Sequence, residues 1–146
     1  QVREIGMNTV TIRVKGTQRD ETGEENAIEL VTVGHSQVKN GVHYITYKEH
    51  VSGMEGSTTL LKVYPEPESL CLVRMGKFEQ KQEFIPGEKT YGAYITPYGS
   101  MKMAVDTHLL RISRESIQTI EVQYDLEING RWQSANTLLI SVDSGS

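Results

Sequence analysis

Residues 120–142 read IEVQYDLEINGRWQSANTLLISV, and their alternation decides the fold. Ile120, Val122, Tyr124, Leu126 and Ile128 fall on every second position, with Glu121, Gln123, Asp125 and Glu127 between them. A strand projects successive side chains to opposite faces, so such a run buries one face and wets the other. Asn129-Gly130 follows, the dipeptide best able to take the positive φ angles of a type I′ turn. Beyond it Trp132, Ser134, Asn136, Leu138, Ile140 and Val142 share a face. The two runs predict a long C-terminal hairpin.

The same period recurs upstream. Val10, Ile12 and Val14 alternate with Thr9, Thr11, Arg13 and Lys15, and residues 27–33 are apolar and β-branched. Asn40-Gly41 supplies a second hairpin turn into residues 42–48, and residues 57–64 follow Gly53 and Gly56. Pro65-Glu66-Pro67 breaks pairing, because proline offers no ladder donor. Strands are expected over 70–75, 78–85, 89–96 and 101–112, set apart by Gly76-Lys77, Pro86-Gly87 and Pro97-Tyr98-Gly99. The one plausible helical turn, residues 113–116, is too short to count as a helix. A strand and turn roughly every ten residues marks an all-β sandwich or barrel. Short connections favour pairing of sequence neighbours, and a long meander curls shut, which removes its edges. The expectation is one all-β domain over residues 1–146. Its architecture would be a closed up-and-down antiparallel barrel of about 8–10 strands.

Composition narrows the partners. Fifteen Lys and Arg against nineteen Asp and Glu give a net charge of −4. This is not the clustered basic surface that phosphate binding needs, so no nucleic-acid partner is expected. No apolar run approaches the roughly 20 residues of a membrane-spanning helix, and no membrane partner is expected. Residues 1–6 lack the basic-then-apolar pattern of a secretory signal, and the small polar residues 143–146 are expected to fray. Cys71, the lone cysteine, cannot close an intrachain disulfide, and no Cys/His spacing suits zinc.

Leu72-Val73-Arg74-Met75-Gly76, Lys81-Gln82-Glu83-Phe84, Gly87, Thr90 and Tyr94-Ile95-Thr96-Pro97-Tyr98-Gly99 form a set that resembles the YwiB-like family of small bacterial proteins. Tyr44-Ile45-Thr46-Tyr47-Lys48-Glu49-His50 and the final hairpin fit the same family. The resemblance covers nearly the whole chain. It implies a calycin-like β-barrel, related in shape to lipocalins and fatty-acid-binding proteins, in a bacterial cytoplasmic protein. The family is one of unknown function.

Catalytic chemistry is thinly represented. His35, His43, His50 and His108 are scattered, His108 on an outward face and His50 beside Glu49 as a solvated charge pair. A metal site from His35, His43 and carboxylates needs neighbouring strands to converge, and none is expected. Cys71 sits between apolar neighbours as a small hydrophobe. Asp20-Glu21 and Glu24-Glu25 flank Gly23 as a polar hairpin tip. No serine elbow, P-loop or dinucleotide fingerprint occurs, so no cofactor is expected and the sequence leans away from an enzyme. Tyr91, Tyr94 and Tyr98 cluster beside turns, where aromatics either line the mouth of a barrel or cover exposed core.

The informative anomaly is polar residues on inward faces. Arg74 shares its face with Leu70 and Leu72; Gln80 and Gln82 lie between Phe78 and Phe84; Asn136 lies between Trp132 and Leu138; Tyr124 interrupts an aliphatic row. An unpartnered buried polar group costs about 1–3 kcal/mol. A hydrated lumen relieves that cost, and barrels of this size are wide enough for one small ligand. The first reading is therefore a non-enzymatic barrel binding a small anionic or amphipathic ligand. Arg74 would be its charge partner, and Gln80, Gln82, Tyr124, Trp132 and Asn136 would complete the site. In the opposing reading Arg74 packs over Trp132 as a plug. The barrel is then filled and inert, and acts as a protein-interaction module or homodimer, through an open edge near Pro65 to Glu68 or a dimer face. An enzyme with His43 or His50 as base is the third.

Overall fold

The computed structural model describes residues 7–49, 56–114 and 117–144. Ten strands follow in chain order: β1 (Asn8–Asp20), β2 (Glu25–Lys39), β3 (Val42–Lys48), β4 (Thr58–Pro65), β5 (Glu68–Met75), β6 (Glu79–Phe84), β7 (Lys89–Thr96), β8 (Gly99–Arg114), β9 (Gln118–Ile128) and β10 (Arg131–Asp143). Each pairs antiparallel with its predecessor, and β1 also pairs with β10, closing the barrel. The meander barrel expected from period-two patterning is the fold observed. Both Asn-Gly hairpins are type I′ as the residues require, with φ of 52° and 79° at Asn40 and Gly41 and 51° and 82° at Asn129 and Gly130.

Several local expectations are corrected. Closure leaves no open edge near the prolines, because Pro65 of β4 stands opposite Glu68 of β5 and each strand has a partner on both sides. Ser113 and Arg114 extend β8 rather than start a helical turn, since they pair with Thr119 and Gln118; residues 115–116 lie outside the described residues. Asp143 is not frayed but pairs with Thr11. The turn expected at Gly53 also lies outside the described residues.

Two β-bulges change the phase of the long strands. The register of β8 slips between Thr107 and Leu109, and that of β10 between Trp132 and Ser134. An extra residue reverses which face each later side chain meets. The inward set on β8 is therefore Met101, Met103, Val105 and Thr107, then Leu110, Ile112 and Arg114.

The interior has two halves. We call the end carrying the β2–β3, β4–β5, β6–β7 and β8–β9 connections the lower end. There Ile12, Ile45, Leu61, Val63, Leu70, Ile120, Val122 and Ile140 are wholly buried. Full burial of such a side chain is worth about 1.5–3 kcal/mol, so this half anchors the fold. Toward the upper end inward residues stay partly open. Leu30, Phe78, Tyr94, Met101, Leu126, Ile128 and Leu138 are only half-buried, and Ile28 is 55% exposed. The barrel is packed below and partly open above, and the partly open upper half is called the cup.

Its weakest seam lies between β6 and β7, which share only the register pairs Glu79–Ile95 and Gln80–Tyr94. Below them side chains take over: the Thr90 hydroxyl donates to the Glu83 carbonyl at 2.5 Å, and Gln82 Nε2 donates to Thr90 Oγ1 at 3.3 Å. Gly92 is required here, because a Cβ would stand 2.5 Å from the Lys81 carbonyl oxygen.

Candidate functional site

The cup's polar wall is built on β3, β4, β5 and β6. Register places Tyr47, Thr59, Arg74 and Gln80 side by side on the inward face. Arg74 Nη1 donates to Gln80 Oε1 at 2.9 Å, and Arg74 Nη2 lies 3.5 Å from Glu49 Oε2. The Thr59 hydroxyl donates to the same carboxylate, and Glu49 N donates to the Ser57 carbonyl at 2.8 Å, which holds the acid in place. Glu49 is 5% exposed. The sequence reading of Glu49 as half of a solvated pair with His50 is thus corrected: the phase of β3 carries it inward, and Arg74 is its counter-ion. His50 lies outside the described residues.

This pairing changes the electrostatics expected of the cup. Arg74 does not stand as an open cation, because Glu49 balances it. Burial drives the Tyr47 hydroxyl well above its ordinary range, with the Glu49 charge adding to the effect; the Arg74 charge and the Thr59 bond oppose it. Tyr124 is pushed up by burial too, and Arg74 partly offsets the shift across the lumen. Both phenols are therefore neutral hydroxyls at physiological pH. Arg74 Nε, Ser57 Oγ, Gln82 Oε1 and Thr107 Oγ1 are buried with no protein partner.

The opposite wall is formed by β1, β2, β9 and β10. Gln18, Asn136 and Tyr124 stand in one row of register. Tyr124 packs edge-on against Phe84 at 4.9 Å between ring centroids. Asn136 Nδ2 donates to Ser134 Oγ at 3.0 Å. Below this row a cleft of about 150 Å³ is lined by Gly16, Gln18, Asn26, Ile28, Tyr124, Asn136 and Leu138, together with Thr17 and Thr137. Gly16 keeps it open: a Cβ there would meet only Leu138 Cδ1, at 3.9 Å.

Of the residues read from sequence, Arg74 and Gln80 meet on one wall, and Tyr124 and Asn136 on the other. Gln82 also points inward, but at 1% exposure it works as part of the β6–β7 seam. Trp132 is displaced. The bulge before Ser134 puts it opposite Glu127 on the outer phase, 41% exposed, so the expected inward face and the Arg74–Trp132 plug are corrected. Sequence reasoning missed Glu49, Thr59 and Gly16. Only Gly16 carried a signal, since glycine inside a strand marks either a close approach or a deliberate space.

Other candidates lie apart from the cup. His35 faces outward from β2 and His43 inward from β3, on opposite sides of the sheet, so the metal site weighed between them does not assemble. Among the described residues no cluster of three or more metal-binding side chains occurs. His108 occupies the bulge on the outer surface, 3.3 Å from Asp125. Cys71 is buried on the outward phase of β5, and burial raises its thiol pKa. Tyr94 faces inward and stacks on Phe78, whereas Tyr91 and Tyr98 project into solvent. Among the described residues no helix is long and apolar enough to cross a membrane.

A family model described as a domain of unknown function, DUF1934, matches residues 12–140. Among solved structures, the crystal structure of the ywiB protein from Bacillus subtilis is similar, with a TM-score of 0.85 and 22% sequence identity. The alignment covers 98% of this chain and 96% of that one, a likeness that shows the fold. No curated protein matches.

Proposed function

The chain belongs to the DUF1934 family, whose function is unknown, and we propose that its barrel is a non-enzymatic binder of a small amphipathic molecule held in the upper cup. The supporting observation is the contrast between the halves. Most inward apolar residues below are buried, with Val38 and Ile112 at the rim partly open, whereas Leu126, Ile128, Leu138, Met101 and Leu30 are all left half-open above. Apolar surface kept wet in a concave site is stabilised by an apolar ligand, with a few fixed polar groups to orient it. Tyr124, Asn136 and Gln80 are those groups. Because Glu49 balances Arg74, an uncharged or zwitterionic polar head suits the cup better than the anion first expected. A calycin-like grouping and a cytoplasmic setting, both implied by the family resemblance, belong to the same proposal.

The test exploits Gly16. Gly16→Leu fills the cleft beside Tyr124 without backbone strain, since Gly16 has an ordinary strand φ and open space at its Cβ. Nile red should bind the parent protein with a saturable rise in fluorescence. The variant, at unchanged thermal stability, should bind at least tenfold more weakly. Equal binding by both proteins, or none by the parent, would sink the reading. The alternative of an interaction surface rests on Val31 and Val33, which are exposed on the outer face of β2. A concentration-dependent mass in sedimentation, lost on Val33→Lys, is its test.

A further inference from the structure

The wall formed by β2, β1, β10 and β9 carries more hydrogen-bonding capacity than the protein itself uses. Gln18 of β1 pairs in register with Asn26 of β2 and Asn136 of β10, and Asn136 pairs with Tyr124 of β9. Three amides and a phenol therefore stand side by side on the inward face. Neighbouring strands lie about 4.8 Å apart, so the row runs about 14 Å around the concave wall. Beneath it opens the cleft of about 150 Å³ beside Gly16, with Ile28 and Leu138 as its apolar lining.

Asn136 is the member held in place by the protein. Its Nδ2 donates to Ser134 Oγ at 3.0 Å and to the Ser134 carbonyl at 3.4 Å, and its Oδ1 accepts from Ser134 Oγ at 3.3 Å. An amide oxygen has two lone pairs, so one stays available. Among the described residues nothing bonds the Gln18 and Asn26 amides or the Tyr124 hydroxyl. Gln18 and Asn26 are exposed, and the half-buried Tyr124 keeps its hydroxyl open to the cup. Phe84 fixes the Tyr124 ring edge-on, and burial holds the phenol in its protonated form.

The row has no formal charge, and the Arg74–Glu49 pair lies on the opposite wall. A charged head seated here loses water and meets no counter-charge, which is costly. Amides and a phenol both donate and accept, as hydroxyls do. A lone hydroxyl reaches one or two of these groups, whereas a head with several hydroxyls engages the row along its length. The cleft below holds about five water-sized groups at about 30 Å³ each, which suits a short alkyl tail.

We propose that the cup selects a molecule with a neutral polyol head and a short alkyl tail, of the glycoside or monoacylglycerol type. The head takes Gln18, Asn136 and Tyr124, and the tail enters the cleft beside Gly16. This rests on the reading of the cup as a binder of an amphipathic molecule and narrows it to one class of head.

The test is displacement of Nile red from the full chain by hexyl β-glucoside and by 1-monohexanoylglycerol, followed by fluorescence. Saturable competition is expected, and the stronger competitor distinguishes a sugar head from a glycerol head. Hexanol, hexanoate and hexyltrimethylammonium share the tail, and glucose shares the head; each should compete at least tenfold more weakly. Tyr124→Phe removes only the hydroxyl and keeps the ring on Phe84, while Gln18→Met keeps the side-chain length at an exposed position. Each variant should keep the parent melting temperature and its affinity for Nile red. Each should bind the stronger polyol probe about three- to tenfold more weakly, the effect of losing one neutral hydrogen bond. No competition by either polyol probe, a control that competes as well as they do, or parent-like probe affinity in both variants would overturn the proposal, with Nile red binding still supporting the cup. A parent protein that takes up no Nile red overturns the cup reading and this proposal with it.

Discussion

Replacing Arg74 by methionine probes the polar wall on which the cup depends. The substitution keeps the length of the side chain and strips the Glu49 carboxylate of its counter-ion, leaving it beneath Tyr47 and Thr59. At 3.5 Å the gross attraction at an effective dielectric of about 20 is about 5 kcal/mol. Desolvation of both charges cancels much of that, but removing one partner leaves the full penalty of the other, about 3–5 kcal/mol for enclosed pairs. Here the side chains are 17% and 5% exposed, so water still reaches the cation and the expected loss falls to about 2–3 kcal/mol. Adding Glu49→Leu removes the orphaned acid and should recover most of the loss, giving a coupling of about 1–3 kcal/mol across the cycle. Urea unfolding followed by far-ultraviolet dichroism measures each term from the midpoint at constant slope. Arg74→Met within about 0.5 kcal/mol of the parent, or a cycle that is simply additive, would refute the buried pair.

Other sites give independent checks. Gly34→Ala should destabilise the barrel by more than about 2 kcal/mol in the same assay, because a Cβ would overlap the Thr46 carbonyl oxygen and Ile12 Cδ1, and backbone cannot step aside. Thr90→Val cuts the side-chain bridge across the β6–β7 seam; a loss of about 1 kcal/mol and faster amide exchange confined to β6 and β7 are expected. His43 is held below its ordinary pKa of 6.5, so the unfolded chain binds more protons there. Its contribution is complete above that value and is lost as pH falls through it toward the folded pKa. His43→Asn should flatten that part of the stability profile. Cys71 should resist aromatic disulfide reagents in the native state and react only on unfolding, since burial raises its pKa and shields it.

Strand order and closure were written in the period-two pattern and the Asn-Gly turns, because side-chain alternation and turn chemistry are local. Arg74, Gln80, Tyr124 and Asn136 were readable as inward for the same reason. Trp132 was not, because a bulge at Gln133 leaves almost no trace in sequence while inverting the face of what precedes it. Glu49 was hidden by its neighbours: next to His50 at a strand end it looks like surface, and only the partner strand β5 supplies the cation that lets it be buried. Gln82 was legible as inward but not as a seam bridge, since that role depends on β6 and β7 parting after two register pairs.

Native mass spectrometry of the protein purified from its own source measures cup occupancy most directly. A single additional small mass per chain is expected under native conditions, one that vanishes on denaturation and is absent from the Gly16→Leu protein. The bare chain mass in the native spectrum of the parent, or an adduct equally present in the variant, would contradict it.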